Sequence, residues 1–407
     1  MITARPEDVG LDGERLAHID RHLAEHYVGP GKIPGAVTVV ARRGEVVHAS
    51  ALGQRDRERA LPMELDTLVR IYSMTKPITS VALMQLHEQA RFKLSDPVHR
   101  FIPEWRDLAV YAQGRYPQFV TTPCQRPMTV RDLLSHTSGL TYGFMERTNV
   151  DSAYRRLAVG ERKQGSTLRD MIETLADLPL EFSPGTAWNY SVATDVCGYL
   201  VETISGQPFD RYLEEHVFAP LGMTETSFQV REDQRERFAA CYVRGPRKVL
   251  KLDDDPRDSP YIRNVTFHSG GGGLVSTAGD YLRFCQALLR GGELDGHRIL
   301  GPRTLELMTR NHLPGGRDLS ECSVAAFSET PYDGTGFGLG FSVILDAVRA
   351  QATGSEGAFA WGGAASTIFW IDPREELVVV FLTQLMPSRT FDFRGQLQAL
   401  VYGAIVE

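Results

Sequence analysis

Leu68-Val69-Arg70-Ile71-Tyr72-Ser73-Met74-Thr75-Lys76-Pro77 is the stretch on which the fold turns. An apolar run from Leu68 to Tyr72 leads into Ser73, and a helical pattern through Ile78, Ala82 and Leu86 leads away from it. With Ser73 in the first helical turn, its backbone N–H has no intrahelical acceptor, and Lys76 lies one turn on, on the same face. Pro77 fits this start, because a missing N–H is tolerated in a first turn and not deeper in a helix. The result is a hydroxyl nucleophile beside an amine, at a helix N-terminus whose positive end stabilises developing negative charge. No other serine of the chain has a lysine three residues later.

Working outward, Leu16, Ile19, Leu23 and Tyr27 recur at helical spacing after Asp12, so an amphipathic helix is expected there. Ala36 to Ala41, the Arg43-Gly44 turn and Val46 to Leu52 read as an antiparallel hairpin. Residues 73 to 270 look helical and loop-rich with few strand signals, and the basic run Arg244 to Lys251, followed at once by Asp253, Asp254 and Asp255, reads as a solvated loop. Strands return at Gly336 to Leu345, Gly357 to Ile371 and Leu377 to Leu382, with a closing helix from Phe393 to Ile405. The glycine-dense Gly334 to Gly340 misses the dinucleotide-binding spacing and reads as part of a strand. The expected class is α/β. An antiparallel sheet built from both ends of the chain (1–72 and 271–407) carries a large, mainly helical insertion (73–270), with the site in the cleft between them.

The 407 residues allow two to three domains at roughly 150 residues each. A net charge of −7 disfavours a nucleic-acid or anionic-lipid surface. With 42% hydrophobic and 23% charged residues, the chain has the composition of an ordinary globular protein. Five scattered cysteines without a C-x-x-C pair argue against disulfides and zinc knuckles, and no metal or cofactor motif is present. The first residues carry acids and no apolar core of a leader, and Leu377 to Leu382 is too short to span a bilayer, so a cytoplasmic protein without membrane attachment is expected.

Two further motifs bear on chemistry. In Phe182-Ser183-Pro184-Gly185-Thr186-Ala187-Trp188-Asn189-Tyr190-Ser191 a Pro-Gly turn delivers a tyrosine just before a helical run. A phenol beside an ammonium loses its proton more readily and can then accept one from serine. An isolated lysine or tyrosine is roughly 3 units from neutral pH in the wrong form, about 4 to 5 kcal/mol, so burial and mutual coupling must supply the difference. The proton then belongs to the pair, and which member is the base stays open. In Trp361-Gly362-Gly363-Ala364 paired glycines allow a close backbone approach, offering the Ala364 N–H as an oxyanion donor opposite that of Ser73, with Trp361 as an apolar wall.

Ser73-x-x-Lys76, Tyr190-Ser191 and Trp361-Gly362-Gly363, in this order, resemble the serine hydrolases of the class C β-lactamase and penicillin-binding-protein fold, and within them the family VIII carboxylesterases. Supporting phrases extend the likeness over most of the chain: Leu134 to Leu140 with Thr141-Tyr142, Pro220 to Met223, Ser269-Gly270-Gly271-Gly272-Gly273-Leu274, and Ser276 to Asp280. The resemblance implies Ser73 as acylated nucleophile and Lys76 with Tyr190 as the proton-transfer pair. It further implies the N–H groups of Ser73 and Ala364 as oxyanion hole, and Trp361, Gly362, Gly363 and Tyr142 at the substrate.

Where the β-lactamase pattern has Tyr-x-Asn and Lys-Thr-Gly, this chain has Val192 and Trp361 in place of the polar handles, which points to uncharged esters over β-lactams. The expectation is a cofactor-free serine carboxylesterase for short-chain esters with weak action on some β-lactams. The alternatives are an acyltransferase, a β-lactamase or D-amino-acid peptidase, and a non-catalytic binding protein of the same fold. No G-x-S-x-G elbow or H-E-x-x-H occurs, and His136 and His268 are read as structural.

Overall fold

The computed structural model describes residues 1–324 and 332–407. Its central sheet contains β1 (Gly35–Arg42), β2 (Glu45–Asp56), β3 (Leu61–Pro62), β4 (Thr335–Phe337), β5 (Ser342–Ile344), β6 (Phe359–Gly362), β7 (Ile368–Asp372) and β8 (Leu377–Leu382). The spatial order is β4-β5-β6-β7-β8-β1-β2-β3, with every neighbouring pair antiparallel. The β8 run LVVVFL is buried on both faces, which places it inside the sheet rather than at an edge. There it joins the two ends of the chain, Val37 standing opposite Leu382 and Arg42 opposite Leu377. Arg43 and Gly44 both take positive φ (52° and 85°), as a tight hairpin turn requires.

The period of two along β8 separates two cores. Leu377, Val379 and Phe381 pack with Leu16, Ile19, Leu23 and Tyr27 and with Phe393, Leu397 and Val401 of the closing helix. Val378, Val380 and Leu382 belong to the larger core on the other face, where the helix Ala278–Leu289 lies against the sheet and the Tyr281 and Phe369 rings meet at 5.1 Å. That core continues into two helices that frame the site: α1 (Thr75–Glu88), which buries Ile78, Val81 and Ala82, and α2 (Ala193–Ser205), which buries Val196, Cys197 and Leu200.

The structure departs from the sequence reading in four places, the first being Gly357 to Ile371, which is not one strand but the antiparallel pair β6 and β7 with a turn between them. Ala109–Arg115 pairs with Gln118–Pro123, a hairpin so exposed that it carries little apolar alternation to detect. Arg244 to Lys251, read as a loop, is the end of a second hairpin in which Cys241–Arg244 pairs with Leu250–Asp254. The segment Gly334 to Gly340 is not one strand either. It enters β4, turns through Gly338 and Gly340, and returns as β5; a Cβ on Gly338 would stand 2.0 Å from the Met308 carbonyl. All five cysteines are free, and among the described residues no helix is long and apolar enough to cross a membrane.

Candidate active site

Val69-Arg70 is tied to Val275-Ser276 by a short antiparallel ladder, and the Ile71 N–H donates to the Leu274 carbonyl at 3.2 Å. Arg70, fully buried, pairs with Asp254 at 2.7 Å and stacks over Phe238, so the approach to Ser73 is rigid. Tyr72 then takes φ +42°, an uncommon conformation for a bulky residue and one that only firm surroundings maintain. The chain passes through a single 3-10 turn, Tyr72–Met74, into α1, which leaves Ser73 at the helix entrance and Lys76 one turn inside. Among the described residues the Ser73 backbone N–H has no acceptor.

Ser73 Oγ accepts from Tyr190 Oη at 2.6 Å and from Lys76 Nζ at 3.2 Å. Lys76, 1% exposed, also donates to Tyr142 Oη at 3.0 Å and to the Gly271 carbonyl at 2.6 Å, so the three N–H bonds of an ammonium have three acceptors. Its Nζ lies 4.5 Å from the centre of the Tyr190 ring. Tyr190 is carried there by the turn at Gly185 (φ +82°), by the Asn189 N–H donating to the His136 carbonyl at 2.9 Å, and by the start of α2. Rings of His136, Tyr142 and Trp361 surround it at 5.1, 5.2 and 5.5 Å. Burial, and after it the nearby Asp195, pushes the Tyr142 phenol well above its ordinary range, so this tyrosine stays protonated.

Across the cleft, β6 ends in Trp361-Gly362 and turns at Gly363-Ala364. Gly363 sits so close to the nucleophile's strand that a Cβ would lie 2.3 Å from both the Ile71 carbonyl and Thr367 Oγ1. The Ala364 N–H, like that of Ser73, has no acceptor among the described residues. Ser73, Tyr142, Tyr190, Trp361, Gly362, Gly363 and Ala364 all line one cavity of about 380 Å³. The cavity thus brings together a serine hydroxyl, an amine, a phenol and two backbone N–H groups without acceptors, an arrangement able to support acyl transfer through a serine.

Some features were not foreseen. Arg162, Arg394, Asp195 and Asp254 stand in the cavity wall, so it is less apolar than the residues Val192 and Trp361 suggested. Val192 is fully buried and does not line the cavity, so its departure from Tyr-x-Asn acts by omission only. Asp195, five residues beyond Tyr190, is 2% exposed and accepts from Ser269 Oγ at 2.5 Å and from the Gly271 N–H at 2.9 Å. The Ser269 to Gly273 run was a signal for that loop, and nothing in the sequence marked the carboxylate. His136 bonds Ser191 Oγ at 3.2 Å with its Nδ1 and is pushed well below its usual pKa by burial and then by Lys76, so it is neutral. His268 contacts the Val265 carbonyl at 3.2 Å and Asp210 at 3.5 Å, and neither imidazole is hydrogen-bonded to Ser73.

Known proteins share this architecture. The family model described as Beta-lactamase matches residues 21–403. Esterase EstB of Burkholderia gladioli is 32% identical over 398 residues, 93% of each chain. A monacolin J acid methylbutanoyltransferase of Aspergillus terreus is 28% identical over 376 residues, 88% of this chain and 87% of its own. Among solved structures, EstCE1, described as a hydrolase with promiscuous acyltransferase activity, superposes with a TM-score of 0.79 at 29% identity, covering 97% of this chain and 99% of that one.

Proposed function

The chain belongs to the Beta-lactamase family of serine hydrolases, and on that premise we propose that it is a carboxylesterase acting on short-chain esters through an acyl-enzyme on Ser73. In this reading the cleft lies between a discontinuous sheet unit, 1–72 with 271–407, and the unit 73–270. Ser73 Oγ attacks the ester carbonyl while its proton passes to whichever of Lys76 and Tyr190 is in its basic form at that moment. The N–H groups of Ser73 and Ala364 take the oxyanion of the tetrahedral intermediate. Collapse breaks the bond to the alcohol oxygen, which receives the proton and departs. Water then repeats the sequence on the acyl-enzyme and frees the acid.

The observation that carries the reading is the placement of Tyr190 Oη and Lys76 Nζ within 2.6 and 3.2 Å of one serine oxygen, in a cavity of about 380 Å³ that suits small acyl and alcohol groups. Trp361 and Tyr142 form the walls that select them. The test is incubation with p-nitrophenyl esters and with nitrocefin, together with the mass of the trapped intermediate. Release of p-nitrophenol with an acyl mass on Ser73 supports the esterase, and neither event would leave a binding protein of the same fold.

A second reading, transfer of the acyl group to an alcohol, draws on the methylbutanoyltransferase relative and the acyltransferase activity described for EstCE1. Product analysis with a competing alcohol separates the two, and acid as the sole product removes the transferase.

A further inference from the structure

Among the described residues, Asp195 is the cavity-wall carboxylate whose charge acts on Lys76, and no step of the proposed reaction uses it. It lies in the first turn of α2, where the helix dipole favours negative charge. One of its oxygens, Oδ1, takes both the Ser269 hydroxyl (2.5 Å) and the Gly271 N–H (2.9 Å). The carbonyl of that same Gly271 takes the shortest of the three bonds from Lys76 Nζ, at 2.6 Å. The other oxygen, Oδ2, crowds Gly271 from behind: a Cβ there would lie 2.5 Å from it and 2.9 Å from Tyr142 Oη, so only glycine lets the peptide pass between carboxylate and phenol. A buried carboxylate is expensive unless donors meet it, and here the Ser269 hydroxyl and the Gly271 N–H do.

Resting on the reading of Ser73, Lys76 and Tyr190 given above, we infer that Asp195 is a positioning residue of the reaction centre, fixing the Gly271 carbonyl against Lys76 and facing the Lys76–Tyr190 pair with its charge. The groups around it are few. Lys76 faces it from α1, Arg162 from the segment after the helix Asn149–Leu157, and Tyr142 from the loop before that helix; on α2 itself its neighbour is the Cys197 thiol, which burial and then Asp195 hold protonated. His136, packed on Tyr190, is neutral. Burial raises the Asp195 pKa, and Lys76, Ser269, Gly271 and Arg162 in turn pull it back towards the ionised form.

The experiment measures kcat, KM and their pH dependence for p-nitrophenyl acetate and butyrate with the wild-type protein, Asp195→Asn and Ser269→Ala. Asp195→Asn keeps the shape and removes the charge. Its kcat falls about 10- to 100-fold with KM within about twofold. Its pH–rate profile moves to lower pH, because the lost negative charge no longer favours the protonated state of the site. An unchanged kcat, or a loss with an unmoved profile, overturns the inference. Ser269→Ala keeps the charge and frees one anchor of the carboxylate, and it carries the test alone should Asp195→Asn not fold. Its kcat falls about 3- to 10-fold with an unmoved profile, and an unchanged kcat overturns the positioning role. A wild-type protein that forms no acyl-enzyme removes the proposed function itself, whereas an active wild type with indistinguishable variants removes only the role of Asp195.

Discussion

The two walls of the cleft use glycine in the same way and for different ends. On one side Gly271 lets its peptide run between Asp195 and Tyr142, and it delivers a carbonyl that accepts from Lys76. On the other, Gly363 lets the turn after β6 press against the Ile71 carbonyl, and the next residue, Ala364, presents a free N–H. In the proposed reaction one wall serves proton transfer and the other the oxyanion. Close approach of backbone is the shared device, and the orientation of the peptide decides which chemistry results.

Several substitutions probe that division, the most damaging first. Ser73→Ala leaves neither wall anything to serve, so turnover and acyl-enzyme mass both fall to background. Tyr190→Phe and Lys76→Ala each reduce kcat by about 10² or more, and because both serve one proton path the double variant loses far less than the product of the two losses. Near-wild-type rates in either single variant would show that the proton path runs elsewhere. Gly363→Ala places a methyl group 2.3 Å from the Ile71 carbonyl, which must shift the Ala364 donor. Its kcat falls about 10- to 100-fold with an unmoved pH profile, in contrast to Asp195→Asn, and a displaced profile would dissolve the distinction between the walls. Trp361→Ala alters the ranking of acyl chains through KM by several-fold while leaving the rate on the best ester within about tenfold.

The smallest effect concerns stability. Burial holds His136, His268 and His312 below the ordinary imidazole value. The unfolded chain takes up these protons near pH 6.5 and the folded chain does not, so stability falls as pH drops through that value. Carboxyls raised by burial, Asp195 and Asp280 among them, act in the opposite direction, because the folded chain holds their protons more tightly. The thermal midpoint should therefore decline between about pH 7.5 and 5.5. A midpoint that rises on acidification would contradict the burial of these imidazoles.

Much of the fold and the site was legible in the sequence. β-branched and apolar runs bounded by turn residues announced β1, β2 and β8, and the 3.6-residue period announced the opening helix. Ser73, Lys76 and Tyr190 were legible because each sits where local backbone changes state: a helix entrance for the first two, a Pro-Gly turn for the third. The hairpin Ala109–Pro123 was not, since it is largely exposed and of its strand residues only Tyr111 and Phe119 reach the core, too few to leave an alternating pattern. Asp195 was silent for another reason. A carboxylate in a first helical turn reads as an ordinary surface complement to the helix dipole, and its burial depends on the Ser269 to Gly273 loop arriving from far along the chain.

That Val37 pairs with Leu382 has a consequence for how the protein is made. The strand that opens the sheet leaves the ribosome long before the one that completes it, so the early hairpin carries an unsatisfied edge through most of translation. Its row of unpaired amides is then open to other nascent chains, and a holdase that shields this ribbon until Leu382 emerges would raise the yield of folded protein more than it would speed any later step.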